Sequence, residues 1–249
     1  MTKRLLTASV SPPRPAVKQP AALPREVRVA APTLADGAFA TLPETQRRIV
    51  LAAVEAFADR GFHATTTRDI ATGAGLSPAG LYVHYRSKAA VLAQVSRAGH
   101  EATLDLVRGV LEDGRDGPAP DRLRRLVETF TAWHARHHLV ARVVQYELAA
   151  LPPEDRAEVA RLRRSIEGLV EAEVRRGVSR DELVVAEPHA ATRAMLSLCI
   201  DVARWFDPAG RESPQDVARL YGTLVLRMLG ARTPPDVQPP TEHGTPETA

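Results

Sequence analysis

Apolar residues recur every three to four positions through most of the chain, and this spacing predicts helices separated by short turns. The pattern holds from about residue 43 to residue 230, and no stretch alternates with period two for long enough to predict a strand. We therefore expect an all-α protein. The predicted helices cover about 43–59, 66–73, 77–85, 87–113, 121–138, 140–151, 154–176, 187–206 and 214–229.

Capping residues set the beginnings of the shorter helices. Thr66 with Asp69 three residues later is a capping box, and Ser77 before Pro78 is an N-cap followed by a proline in the first turn. Ser87 begins the next helix in the same way, and Gly61 ends the first one. These local signals predict three short helices and the start of a long fourth one.

Composition divides the chain into four segments. Residues 1–42 and 231–249 are rich in Pro and lack an apolar period, so both are predicted to be disordered tails, the first of them basic. Residues 43–103 form a small helical domain, and residues 104–230 form a larger one. The apolar helices at 187–206 and 214–229 need more surface to cover than one small bundle supplies, which predicts a homodimer.

Charge is distributed unevenly. The formal net charge of +3 resolves into +7 over residues 1–100 and −4 over residues 101–249, which is the asymmetry expected when one end of a protein meets a polyanion. The single Cys199 excludes an intramolecular disulfide and favours a reducing compartment. Neither a signal peptide nor an apolar run long enough to span a membrane is present, so a cytoplasmic location and no membrane partner are predicted.

The stretch from Thr65 to Lys88, TTTRDIATGAGLSPAGLYVHYRSK, carries the clearest functional signal. It predicts a helix, a tight turn through Gly75 and a second helix whose first residues are small. This is a helix-turn-helix, here at residues 66–85, in which the second helix lies in the major groove of double-stranded DNA. Arg68 is the candidate guanine contact, Val83 the candidate contact to a thymine methyl, and Thr67 and Lys88 the candidate phosphate contacts.

The segments AGLSPAGLYVHYRSKAAVL and GFHATTTRDIA resemble the DNA-binding domain of the TetR family of transcriptional regulators. The resemblance implies a homodimer that binds a palindromic operator and is released by a small molecule in the C-terminal domain. Pro78 and Gly80 depart from the family pattern because they offer no hydrogen-bonding side chain, which shifts base specificity toward Arg68, Val83 and DNA shape. The predicted DNA-binding residues are Thr66, Thr67, Arg68, Ser77, Pro78, Ala79, Gly80, Tyr82, Val83, His84 and Lys88.

The C-terminal domain holds the candidate effector pocket. Its end is similar to regulators of lipid or steroid breakdown that respond to acyl-CoA thioesters, so the expected effector is a small hydrophobic molecule or an acyl-CoA. Ordinary core packing explains each candidate nearly as well. The candidate lining residues are Phe130, Trp133, His134, Arg142, Tyr146, Met195 and Cys199.

Other classes of function have weaker support. His134, His137 and His138 have a spacing that can place two imidazoles on one metal, but no carboxylate or Cys lies within a helical turn, and neither a metal nor a cofactor is predicted. The sequence lacks a glycine-rich phosphate loop and a nucleophile elbow, so the chain is not expected to be an enzyme. Two alternatives stay open, which are a constitutive DNA-binding protein without an effector and a helical enzyme that uses the histidines.

Overall fold

A computed structural model describes residues 38–232, and over this range the chain folds into α-helices joined by turns. The all-α prediction is confirmed. A single turn of 3-10 helix at Leu148–Ala150 follows α6. The helices are α1 Glu44–Ala64, α2 Thr67–Gly73, α3 Pro78–His84, α4 Lys88–Asp113, α5 Ala119–Arg136, α6 His138–Tyr146, α7 Pro153–Ser179, α8 Pro188–Trp205 and α9 Pro214–Met228.

Most predicted helix boundaries lie within three residues of the observed ones, and the exceptions are the ends of α1, predicted at 59 and observed at Ala64, and of α6. The sequence predicts one helix over 140–151, but α6 begins at His138 and ends at Tyr146, and the 3-10 turn follows before Pro152. The first predicted boundary of the folded region also differs. Residues 38–42 belong to the predicted tail 1–42, yet they form a turn that fully buries Phe39 in the core. Residues 231 and 232 of the predicted C-terminal tail likewise donate backbone hydrogen bonds to Leu226 and Glu182. Residues 1–37 and 233–249 lie outside the described residues.

Two hydrophobic clusters organise the helices. The first cluster contains residues of all four helices from α1 through α4, and it also includes Val140, Val143 and Val144 of α6. The second lies among α4, α5, α7, α8 and α9 and includes Leu123, Val170 and Val225. Because α6 contributes to the first cluster, it packs against the small N-terminal helices while it also contacts α8 of the larger domain. Helix α4 runs without a break through the predicted domain boundary at residues 103 and 104.

Gly61 ends the regular part of α1, as its position in the sequence predicts. Its φ of 76° and ψ of 164° are not helical, and this region of backbone space is essentially restricted to glycine. The reversal turns the last residues of α1 toward the start of α2 and places the buried Phe62 against Phe57.

A buried ion pair fastens α5 to α7 in the larger domain. The Nε and Nη2 atoms of Arg122 each donate to one carboxylate oxygen of Glu173 at 2.9 Å. Arg176 donates to the same carboxylate from the next turn of α7. Removal of one member would leave a buried charge without its partner, which typically costs several kcal/mol.

Histidines are buried where α5 meets α6. His134 places Nδ1 2.8 Å from the carbonyl oxygen of Phe130, and its ring lies 4.3 Å from the ring of Phe130. Burial lowers the pKa of His134 to about 4, and burial with the nearby Arg136 lowers the pKa of His137 to about 4. Both imidazoles are therefore neutral at physiological pH.

The backbone of Gly61 generates a first prediction. Gly61→Ala should lower the free energy of unfolding by about 1–3 kcal/mol, because a Cβ strains this backbone conformation. Gly168→Ala is the matched control, since its position in the middle of α7 leaves the new Cβ in open space; it should stabilise by about 1 kcal/mol. Urea unfolding measures both, and equal effects of the two substitutions would contradict the assignment.

The buried His134 generates a second prediction. The pKa of His134 is lower in the folded state than the ordinary value of 6.5, so its contribution to stability is full above about pH 6.5 and is lost as the pH falls toward 4. His134→Asn keeps a donor near the position of Nδ1 and removes the titration. The loss of stability between pH 7.5 and pH 5 should shrink by about 2 kcal/mol in this variant. The exposed His84→Asn is the control, and an unchanged pH dependence in His134→Asn would contradict the prediction.

Candidate nucleic-acid interface and effector cavity

Helices α2 and α3 are held at a fixed angle by a tight turn. Gly75 has a φ of 68°, which favours glycine, and Ile70 and Leu81 are completely buried between the helices. Arg48 of α1 donates to the carbonyl oxygens of Ala74 and Gly75, so it neutralises the carbonyl end of α2. This arrangement is a helix-turn-helix at residues 66–85, with α3 as its second helix.

The outer face of α3 is exposed. Val83 is 79% exposed and Tyr82 is 51% exposed, although valine is one of the residue types most often buried in a protein core. Pro78, Ala79 and His84 are also exposed or nearly so, and Gly80 leaves the first turn low in bulk. Tyr85 differs from Tyr82 because it is buried under the helix. The face therefore presents small residues first and larger side chains one turn later.

Helix α2 adds further side chains beside this face. The hydroxyls of Thr67 and Tyr82 lie 3.2 Å apart and form a hydrogen bond between the two helices. Arg68 is exposed in the first turn of α2 and makes no hydrogen bond or ion pair with residues 38–232. Its guanidinium is thus available for an external partner.

Two of the predicted DNA-binding hydroxyls are helix caps. Thr66 Oγ1 accepts from the backbone N–H of Asp69 at 3.1 Å and donates to Asp69 Oδ2 at 2.7 Å. The same carboxylate accepts from the Thr66 N–H, and these bonds lower the pKa of Asp69. Ser77 Oγ accepts from the N–H of Gly80 at 3.1 Å. Both side chains hold the ends of their helices in place.

Lys88 has partners within the protein. Its ammonium group donates to the carbonyl oxygens of Phe62 at 2.7 Å, Thr65 at 2.8 Å and His63 at 3.2 Å, and it lies 4.4 Å above the ring of Phe62. These bonds occupy the three donors of a lysine. The sequence predicts a phosphate contact at this position, whereas the structure uses Lys88 to satisfy the end of α1.

Another polar contact joins the two domains at the same segment. The buried N–H of Phe62 donates to Glu147 Oε1, which follows α6, at 3.0 Å. Thr65 Oγ1 donates to the carbonyl oxygens of Ala56 and Gly61 and closes the break in α1. Sequence reasoning missed Glu147, because nothing local indicates a bond between residues 85 positions apart.

A cavity of about 580 Å³ lies in the larger domain, within the range of small-molecule sites. Helices α4 to α8 form its walls, and both apolar and charged side chains line it. Five of the seven predicted lining residues contribute to it. The lining is Gly99, His100, Thr103, Phe130, Trp133, His134, Val140, Ala141, Arg142, Val144, Gln145, Tyr146, Arg163, Ile166, Glu167, Arg193, Leu196, Ser197, Ile200, Asp201, Ala203 and Arg204.

Met195 and Cys199 are the two predicted lining residues that lie elsewhere. Both are 1% exposed and pack into the second hydrophobic cluster. They share a face of α8, while the neighbouring residues Leu196 and Ile200 form the cavity wall. Burial raises the pKa of Cys199 to about 11, so its thiol stays protonated.

The polar side chains of the cavity differ in their hydrogen-bond partners. His100 and His134 place their Nδ1 atoms against carbonyl oxygens one turn earlier, and burial lowers the pKa of His100 as well. Arg204 binds both oxygens of Asp201 at 2.9 Å. Arg142 differs from both histidines and from Arg204, since it is only 7% exposed and makes no hydrogen bond or ion pair within residues 38–232.

Helices α8 and α9 expose an apolar face outside the cavity. Leu220, Leu224 and Met228 lie one turn apart on α9 and are each 41–49% exposed. Leu198 and Trp205 of α8 are exposed in the same way. Grouped exposed apolar residues are a common feature of interaction surfaces in proteins.

Two further findings concern other chemistries. Among residues 38–232, no group of three or more His, Cys, Asp or Glu side chains is arranged to hold a metal ion. In the same part of the chain, none of the helices is both long enough and apolar enough to cross a bilayer.

Comparison with known families matches both domains. The tetR family of bacterial regulatory proteins matches residues 49–95, which include α2 and α3. The family described as the tetracyclin repressor-like C-terminal domain matches residues 116–229, which include most of the cavity wall.

Individual proteins match over most of the chain. The transcriptional repressor KstR2 of Rhodococcus jostii strain RHA1 is 32% identical over 181 residues, which are 70% of this chain and 86% of that protein. A crystal structure of a tetR-family regulatory protein from Rhodococcus RHA1 superposes with a TM-score of 0.72 at 38% identity, over 77% of this chain and 100% of that one. The fold is also that of AibR in complex with isovaleryl coenzyme A and operator DNA, with a TM-score of 0.64 at 21% identity over 76% of this chain and 100% of AibR.

The helix-turn-helix, the larger helical domain with its cavity and the match to KstR2 across more than two thirds of both chains lead to one conclusion. The chain belongs to the TetR family of transcriptional regulators, which are DNA-binding proteins and not enzymes.

Proposed function

We propose that the chain is a ligand-responsive repressor that binds a palindromic operator as a homodimer, acts in the cytoplasm and leaves the DNA when a small hydrophobic or acyl-CoA effector occupies its cavity. The observation that carries the proposal is the exposed face of α3 beside the free Arg68. An unsatisfied guanidinium next to exposed small and apolar residues suits the floor of a major groove, where charge and methyl groups are both read.

The DNA contacts are divided among these residues by their chemistry. Arg68 reads guanine through two parallel hydrogen bonds, and Val83 packs against a thymine methyl. Thr67, Tyr82 and His84 contact phosphates, while Pro78, Ala79 and Gly80 let the backbone of α3 approach the groove. Thr66, Ser77 and Lys88 act as positioning residues, because their polar atoms already cap α2, α3 and α1.

The apolar face of α8 and α9 supports the homodimer. A second copy that pairs α8 and α9 across a two-fold axis covers Leu198, Leu220 and Leu224 on both chains. Such pairing sets the separation of the two helix-turn-helix units, which must lie about 34 Å or a multiple of this apart to occupy successive major grooves on one side of DNA.

The cavity supports the effector. Its volume of about 580 Å³ accommodates a molecule of drug size, and apolar walls from Phe130 and Ile166 suit a hydrophobic body. Arginines at positions 163, 193 and 204 border it, which suits the phosphates of a coenzyme A thioester. AibR, which shares the fold, forms a complex with such a thioester, isovaleryl coenzyme A.

Two alternatives predict different results. A constitutive DNA-binding protein would bind operator DNA and show no thermal shift with any hydrophobic metabolite or acyl-CoA, whereas an effector must raise the melting temperature. An enzyme that uses the buried histidines would not need sequence-selective DNA binding.

The docking of α2 generates a third prediction, tested on DNA from the region upstream of the chain's own coding sequence. Arg68→Ala should weaken binding by about 1–3 kcal/mol and relax selectivity at one base pair of each half-site. Arg136→Ala removes an equal charge from an exposed site at the end of α5 and should leave both properties unchanged. Fluorescence anisotropy over a series of single-base variants measures the effect.

The result is checked at two salt concentrations, since phosphate contacts make the affinity fall as salt rises. If Arg68→Ala weakens all sequences equally, Arg68 is a phosphate contact and the assigned orientation of α2 is wrong. If the native chain retains no DNA at low salt, the repressor proposal itself fails.

The apolar face generates a fourth prediction. Leu224→Arg should convert the dimer to a monomer at micromolar concentration, because it places a charge in the centre of the α8 and α9 interface. Val83→Arg is the matched control, since Val83 is 79% exposed but lies on α3 in the DNA-binding domain. Light scattering coupled to gel filtration gives the mass of each variant. A dimeric mass for Leu224→Arg would show that the dimer interface lies elsewhere on the protein.

A further inference from the structure

Arg142 is a buried cation of the cavity that has no hydrogen-bond partner or ion pair within residues 38–232. It lies in the middle of α6 and is 93% buried, as its 7% exposure implies. A buried guanidinium is normally compensated by a carboxylate or by several carbonyl oxygens. No such hydrogen bond or ion pair to Arg142 occurs within residues 38–232.

The other arginines that line the cavity, Arg163, Arg193 and Arg204, are all more exposed than Arg142. Arg204 is half exposed and binds both oxygens of Asp201. Arg193 is 69% exposed, with its Nε 3.9 Å from Glu167 Oε1. Water and neighbouring carboxylates therefore screen these two charges. Arg142 is far less exposed than either of them and has no ion pair in the described part of the chain.

The position of Arg142 relates the cavity to the DNA-binding domain. Arg142 and Tyr146 lie one turn apart on α6, and both border the effector cavity as well as a small cleft of about 40 Å³. The cleft also contacts Asp59, Gly61 and Glu147. Glu147 is the residue whose carboxylate accepts the N–H of Phe62.

Most of the other charged groups of the cavity lie beside the two ends of α8. Glu167 lies near His189 and Arg193, toward the start of α8, while Asp201 pairs with Arg204 at the end of α8. Arg193 and Arg204 are eleven residues apart on this helix, which corresponds to roughly 16 Å. Both ends of α8 therefore place an arginine beside a carboxylate, whereas Arg142 borders the cavity without such a carboxylate in the described part of the chain.

We propose that Arg142 binds an anionic group of the effector, a carboxylate or a phosphate, and that this contact transmits occupancy of the cavity to the DNA-binding domain. The inference rests on the proposed effector site. Two parallel hydrogen bonds from the guanidinium satisfy either anion. Arg142 also borders the cleft beside Glu147, so an anion that holds the guanidinium on the cavity side changes the surroundings of the contact between Glu147 and Phe62.

The test uses the full-length protein and two matched pairs of probes. Octanoate and methyl octanoate differ by the charge of a carboxylate. Octanoyl-CoA and S-octanoyl-pantetheine differ by the phosphate-bearing nucleotide. Calorimetry gives the dissociation constant of each probe, and fluorescence anisotropy with the operator DNA gives its release.

The wild-type protein should bind the anionic member of at least one pair about tenfold more tightly or better. A preference in the first pair identifies the group as a carboxylate, and a preference in the second identifies it as a phosphate. Arg142→Met should remove this preference and leave the affinity for the neutral member within about twofold. Methionine matches the unbranched stem of arginine without a buried charge, which cores usually tolerate.

Arg142→Gln is the second variant and should behave in the same way. Arg136→Met is the matched control, because Arg136 is exposed and does not line the cavity. It should keep the preference of the wild-type protein. Circular dichroism establishes that each variant is folded.

The effect of the probes on operator affinity tests whether Arg142 transmits occupancy of the cavity to the DNA-binding domain. A saturating concentration of the preferred anionic probe should weaken operator binding by the wild-type protein about tenfold, and at saturation it should change binding by Arg142→Met less than twofold. Equal release of both proteins overturns the role of Arg142 in transmission.

The outcomes separate this inference from the proposed function. Binding of both members of each pair with equal affinity overturns the inference and leaves the effector site in place, as does an anion preference that survives in both Arg142 variants. Failure of the wild-type protein to bind any probe, or to bind the operator, contradicts the proposed function and this inference with it.

Discussion

The placement of the DNA-binding helices depends on hydrogen bonds to the backbone from Phe62 to Thr65, whose partners come from three parts of the chain. Lys88 at the start of α4 donates to three of its carbonyl oxygens, while Glu147 beyond α6 accepts the N–H of Phe62. Within the segment, the Thr65 hydroxyl donates to the carbonyl oxygen of Gly61, where the backbone of α1 departs from helical geometry. Because buried backbone groups are costly to leave unpaired, movement of α4 or α6 must either carry this segment along or break these bonds.

This junction explains how the two domains are related mechanically. Helix α4 begins at the DNA-binding domain and lines the cavity with Gly99 and His100. Helix α6 packs its valines into the core of the DNA-binding domain and turns Arg142 and Tyr146 toward the cavity. Both helices that touch the segment 62–65 therefore also form the cavity wall. In the proposed mechanism, an effector that displaces either helix alters the angle or spacing of α3.

Local chemistry in the sequence predicts most of the DNA-binding domain. The caps at Thr66, Ser77 and Ser87 involve partners three residues away, so the residue pattern alone identifies them. The partners of Lys88 lie 23–26 residues earlier, and the partner of Glu147 lies 85 residues earlier; no local pattern encodes these distances. Met195 and Cys199 illustrate a related limit, since helical spacing shows that a face of α8 is buried but not whether that face meets the core or a cavity.

The central claim is that two copies of α3 read two half-sites of one operator. Selection of bound sequences from a pool of random DNA duplexes by the full-length protein tests it most directly. The account predicts enrichment of an inverted repeat whose half-sites are centred about one helical turn, or a multiple of it, apart, with the enrichment lost at high salt. Enrichment of a single unrepeated site, or of no sequence at all, would contradict it.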